Sequence, residues 1–116
     1  MFLAMNRFKI TPGFESGFEK IWQERDSYLS QVPGFKTFSL LKGTVTEEYV
    51  LYASHSVWES KRAFEDWTES DAFRKAHGQT SAPKGTYLGR PELETFDQVL
   101  GYLGGRRKKS LTWLLS

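Results

Sequence analysis

Met1-Phe2-Leu3-Ala4-Met5-Asn6-Arg7-Phe8-Lys9-Ile10-Thr11-Pro12 opens the chain, and its pattern changes character at the last two residues. Phe2, Ala4, Asn6, Phe8 and Ile10 fall on one face of an extended segment, and Leu3, Met5, Arg7 and Lys9 on the other. Strict period two marks a half-buried strand. Thr11 then reads as a helix N-cap with Pro12 in the first helical position. The helix is expected to run to about Leu29, with Phe14, Phe18, Ile21, Trp22, Arg25 and Leu29 on one stripe. A strand followed at once by an amphipathic helix is the first half of a β-α-β unit.

The rest of the chain completes that unit. Pro33-Gly34 predicts a type II turn. Phe35 to Lys42 and Glu48 to Val57 read as two strands of a hairpin around residues 43–47. Ser60 is placed to cap a short helix through about Glu69, and Ser70 beside Asp71 to cap a second one ending near His77. After a loop over 78–90, Glu92 to Leu100 reads as a last strand. The order β-α-β-β-α-β predicts an α+β, ferredoxin-like domain over residues 1–103. Its strands carry apolar side chains on both faces, Phe35 and Leu41 against Phe38 and Leu40, so a homodimer is expected to cover the helix-free face. Residues 104–116 differ in composition and are expected to form a basic, mobile tail.

Composition removes several function classes. The 116 residues include no Cys and two His, which excludes disulfides, thiolate metal sites and cysteine nucleophiles and comes close to excluding hydrolytic zinc chemistry. No Gly-rich phosphate loop and no Ser-His-Asp series is present. The net charge of +2 misleads, because Arg106, Arg107, Lys108 and Lys109 supply four of the 16 basic residues. The remainder carries 12 basic against 14 acidic residues, so no nucleic-acid surface is expected on the folded domain. The amino-terminal segment lacks the continuous apolar run of a signal peptide. No stretch is long enough to span a membrane, so no stable membrane association and a cytoplasmic setting are expected.

A few residues sit where packing alone would not put them. Asn6 is the one polar residue on the apolar face of its strand, and a buried amide without a partner costs about 1–3 kcal/mol. Arg25 interrupts an apolar stripe. His77 ends a helix just before a Gly/Ser/Pro-rich loop, near Phe64, Trp67 and Phe73, which offer an aromatic lining for a planar ligand. Taken singly, each has a plainer reading: a surface imidazole favoured by the helix dipole, a satisfied amide, an ion-paired Arg, a core Trp. Trp22 and Trp58 are read as core, and His55 as a structural or surface residue in register with Leu51, Ala53 and Val57.

Together these residues resemble the IsdG-type haem-degrading monooxygenases of the antibiotic biosynthesis monooxygenase superfamily. The resemblance rests on Asn6-Arg7 in the first strand, Pro33-Gly34-Phe35 and Val57-Trp58-Glu59-Ser60-Lys61. It rests further on Ala63-Phe64-Glu65-Asp66-Trp67, Ser70-Asp71-Ala72-Phe73 and Ala76-His77. It covers about residues 1 to 100 and omits the tail. Asn, Trp and His at these three places mark the haem-degrading branch. The resemblance implies a dimeric α+β barrel in which haem is both cofactor and substrate. It makes His77 the proximal ligand of the haem iron, Asn6 the distal group and Trp67 the residue pressing on the macrocycle. These three are the expected catalytic residues, and Arg25, Phe64 and Phe73 join them in binding. Arg25 is expected to reach a haem propionate or, equally, an acid on a neighbouring turn or on the partner. The implied reaction uses O2 and an external electron donor, supplied by a reductase, and opens the porphyrin at a meso carbon to release iron and a linear tetrapyrrole. Two rivals stand beside it: a cofactor-free monooxygenase of an aromatic substrate, and a haem carrier or sensor that leaves the ring intact.

Overall fold

A computed structural model describes residues 1–25, 27–78 and 82–104. Its elements run β1 (Phe2–Ile10), α1 (Glu15–Glu24), a 3-10 turn (Leu29–Gln31), β2 (Phe35–Val45), β3 (Val50–Trp58), α2 (Lys61–Thr68), α3 (Asp71–Gly78) and β4 (Glu92–Asp97). The strands form one antiparallel sheet in the order β2-β3-β1-β4, the ferredoxin-like arrangement, with the second helix divided into α2 and α3. The expected tail, including the basic run Arg106 to Lys109, lies outside the described residues apart from Gly104.

The caps of the divided helix follow the sequence. Ser60 Oγ accepts from Ala63 N at 3.1 Å, and Ser70 Oγ accepts from Phe73 N at 3.2 Å. Pro33-Gly34 also turns as expected, with Phe35 N donating to Val32 O at 3.2 Å and Gly34 at φ +80°. A side chain at Gly34 would be strained there and would also meet the Ala63 Cβ at 2.5 Å, so this turn and α2 can touch only through glycine.

Three boundaries differ from expectation. The first helix begins at Glu15, because the Thr11 hydroxyl bonds to the Gly85 carbonyl instead of capping, and Phe14 at the N-cap position supplies no side-chain bond. It also ends early: Arg25 is extended at ψ 134°, and Leu29 reaches the core from the 3-10 turn. The hairpin loop is 46–49 instead of 43–47, closed by Thr46, whose hydroxyl accepts from Glu48 N and Tyr49 N while its own N–H bonds Tyr49 O at 2.8 Å. The last strand stops at Asp97, and Val99, Leu100 and Tyr102 beyond it are exposed.

All helices pack on one sheet face, in two aromatic clusters. Phe8, Ile10, Val50 and Tyr52 at one end of β1 and β3 bury against Phe18 of α1, flanked by Trp22. Phe2 and Trp58 at the other end bury against Leu29 and Trp67, flanked by Phe64 and Phe73. Between the clusters the same face carries Ala4, Asn6, Ser54 and Ser56, and the register sets Ala4 opposite Ser56 and Asn6 opposite Ser54. Four small side chains in a block leave the helices spanning a gap.

Candidate functional site

That gap is a cavity of about 300 Å³, a size at the lower end of small-molecule sites. Its floor is the small-residue block. Trp22, Arg25 and Phe38 line it on the α1 side, and Phe64, Trp67, Phe73 and His77 on the side of α2 and α3. Tyr87, Pro91 and Leu93 line it from the segment leading into β4. All six residues singled out in the sequence (Asn6, Arg25, Phe64, Trp67, Phe73 and His77) therefore share one cavity wall. His55 lies on the opposite sheet face, paired with Met5 and Ser39.

The imidazole of His77 is set for donation from one nitrogen. Its Nδ1 lies 2.9 Å from the Phe73 carbonyl oxygen, which can only accept. In the neutral ring Nδ1 therefore carries the hydrogen, leaving the lone pair on Nε2. The bond is one helical turn back in α3, so the helix itself fixes the tautomer. The Phe73 ring lies 3.9 Å from the imidazole, centroid to centroid, and the Trp67 ring 6.2 Å away. Residue 77 as a whole is exposed, yet desolvation of the ring, with the Arg25 cation adding to it, holds its pKa below the usual histidine value. The bond to Phe73 opposes this shift without cancelling it. The result is a neutral imidazole with a free nitrogen, the form a metal takes.

Three other polar atoms are buried with no hydrogen-bond partner among the described residues: Asn6 Oδ1, Arg25 Nε and Trp67 Nε1. All three belong to side chains lining this cavity. Each orphan costs about 1–3 kcal/mol, so three at one site mark a place built for a partner that the described residues do not supply. Ser56 shows the contrast, since its Oγ accepts from Trp58 Nε1 at 2.9 Å and bonds the Ala4 carbonyl at 3.4 Å. The Arg25 guanidinium lies 4.3 Å above the Trp22 ring. Burial pulls its pKa down, the sign of a cation short of a counter-anion. Donors, an aromatic lining and a free imidazole nitrogen fit a flat, iron-bearing, carboxylated ligand such as haem.

Reading the sequence missed part of this wall. Trp22 packs against the core as expected, and in addition it lines the cavity and stacks on Phe38 with ring planes 12° apart. Ser54, Ser56 and Tyr87 were not singled out. The two serines had a readable signal: both β1 and β3 run large-small-small-large on the helix face. Tyr87 had none, because its place depends on where its loop docks.

Among the described residues no group of three or more His, Cys, Asp or Glu could hold a metal ion, and no helix is long and apolar enough to cross a membrane.

Comparison with known proteins places the fold in a family. Residues 1–79 match the antibiotic biosynthesis monooxygenase family. A staphylobilin-producing haem oxygenase from Staphylococcus haemolyticus is 30% identical over 77 residues, covering 66% of this chain and 73% of that protein. Among solved structures, the haem degrader MhuD from Mycobacterium tuberculosis, with two haems bound in its active site, is 29% identical with a TM-score of 0.69 over 87% of this chain and 98% of that one. SnoaB, a cofactor-independent oxygenase from Streptomyces nogalater, shares the fold at 20% identity, with a TM-score of 0.64 over 86% of this chain and 94% of that one. The chain thus belongs to the antibiotic biosynthesis monooxygenase family, on the side of its IsdG-type haem-degrading members.

Proposed function

We propose that this protein is a haem-degrading monooxygenase, for which haem is both substrate and cofactor. The observation that supports it most is His77, whose bonded Nδ1 leaves the lone pair on Nε2, on a cavity where Asn6 Oδ1, Arg25 Nε and Trp67 Nε1 have no partner among the described residues. Haem iron supplies the centre at which O2 is activated, with electrons from an external reductase, and the products are iron and a linear tetrapyrrole opened at a meso carbon.

The residues divide the work. His77 would hold the iron through Nε2, with Nδ1 bonded to the Phe73 carbonyl so that the ring is kept from turning away. Asn6 offers an amide from the cavity floor. An amide can donate a hydrogen bond to a developing oxygen charge without competing as a strong ligand. Trp67 would bear on the macrocycle, and Phe64 and Phe73 would keep water from it. Arg25 pairs with a carboxylate. The working unit is a homodimer, in which a second copy covers the helix-free sheet face that carries Leu3, Met5, Leu51 and Val57.

Titration with ferric haem, then ascorbate in air with catalase present, tests this reading. A saturable Soret shift near one haem per chain is expected, followed by decay to a linear-tetrapyrrole spectrum and free iron. His77→Ala should abolish productive binding, and Asn6→Ala should bind haem but leave the ring closed. A bound spectrum that persists under reductant and O2 would make the protein a carrier or sensor. No Soret shift would return it to the cofactor-free branch.

A further inference from the structure

Resting on the haem reading, we propose that Tyr87 is a substrate-binding residue whose phenol joins the Arg25 guanidinium in holding one carboxylate of the ligand. Both side chains line the cavity. A chain of rings places them on one flank: Tyr87 lies 6.2 Å from Phe8, Phe8 lies 5.8 Å from Trp22, and Arg25 sits 4.3 Å over Trp22. Tyr87 also meets Phe18 edge-on at 5.9 Å and 88°, so its ring is gripped while 42% of the residue stays accessible.

The backbone beneath Tyr87 is fixed. β4 pairs with β1 only as far as Arg7, and residues 86–88 take the next places along that edge. Leu88 N donates to Lys9 O at 2.8 Å, Thr11 N donates to Thr86 O at 2.9 Å, and Tyr87 bridges to Ile10. Thr86, 1% exposed, anchors the turn through its hydroxyl, which donates to Pro83 O at 2.7 Å. A side chain held in this way loses little freedom when it binds. Arg25 meanwhile has a buried Nε without a partner, and its field opposes the rise that burial imposes on the Tyr87 hydroxyl pKa. A neutral donor beside an undersatisfied cation is a carboxylate cradle, and haem carries two carboxylates.

The test compares ferric haem with its dimethyl ester, reading dissociation constants from the Soret shift in the parent, Tyr87→Phe, Arg25→Gln and the double variant. Tyr87→Phe should weaken haem binding about fivefold, the worth of one hydrogen bond of about 1 kcal/mol, and change ester binding less than twofold. The losses for Tyr87→Phe and Arg25→Gln should be less than additive, because both groups hold the same carboxylate. Equal losses for haem and ester, additive losses, or no loss in Tyr87→Phe would overturn the proposal while leaving the haem reading intact. A parent that binds neither ligand would remove both.

Discussion

At the ends of β1 and β3 the helix-facing positions are Phe2, Phe8, Ile10, Val50, Tyr52 and Trp58, each at most 6% exposed; in the middle they are Ala4, Asn6, Ser54 and Ser56. The strands are the same and so is the face, but the ends weld helices to the sheet while the middle holds them off it. Alternation therefore decides which side chains face inward, and side-chain volume decides whether inward means core or cavity. On the strands, the end residue Trp58 satisfies its polar atom through Ser56, whereas around the cavity Asn6 Oδ1, Arg25 Nε and Trp67 Nε1 have no partner among the described residues.

Breaking an end should have the largest effect. Trp58 is fully buried, and its ring contacts Phe35, Phe64 and Trp67. Trp58→Ala is expected to cost about 3–5 kcal/mol in a denaturant titration and to loosen the wall that carries Trp67. Filling the middle should instead spare stability and remove binding. Ser54→Leu projects new bulk into the cavity floor, and haem affinity should fall at least tenfold, which is about 1.4 kcal/mol, with a smaller change in the unfolding midpoint than Trp58→Ala produces. Unchanged haem affinity in Ser54→Leu would mean that this gap is not the binding space.

The smallest expected effect is a pH dependence at the rim. The folded-state pKa of His77 lies below the ordinary value of 6.5. Above pH 6.5 the ring is neutral in folded and unfolded chains alike. As pH falls through that value the unfolded chain takes up the proton first, so stability declines. Measured by urea unfolding between pH 7.5 and 5.5, the parent should lose stability relative to His77→Gln. Haem affinity should hold steady through pH 6.5 and decline only at the lower pH where the folded ring takes up its proton and loses the Nε2 lone pair. A parent that gains stability on the variant toward pH 5.5 would reverse the sign of the environment assigned to this imidazole.

Much of this was legible in the residues, for reasons that differ by element. β1, β3 and the two short capped helices follow from local signals: alternation, Ser60 and Ser70. The limits of α1 do not, because Thr11 carries the local chemistry of a cap and spends it on the carbonyl of Gly85, 74 residues away. Asn6, Trp67 and His77 were legible as a resemblance, and their convergence on one cavity follows from the fold. Arg25 was legible as an anomaly within an apolar stripe. Trp22 packs on the core as read, and its second part as cavity wall was not legible because a stripe residue at the end of a helix can face a core and a hole with the same periodicity. Tyr87 is set by the docking of a loop, which no local pattern encodes.

The edge strand β2 carries one further consequence. It has eleven residues and pairs with β3 on one side only, the kind of exposed template along which chains stack into fibres. Its register with β3 slips between Phe35 and Thr37 and again between Lys42 and Val45, so even pairing runs only from Thr37 to Lys42. Each slip twists the strand and turns hydrogen-bonding groups out of line for a newcomer. A protein that keeps a cavity between its sheet and its helices is thereby guarded against aggregating at the sheet edge.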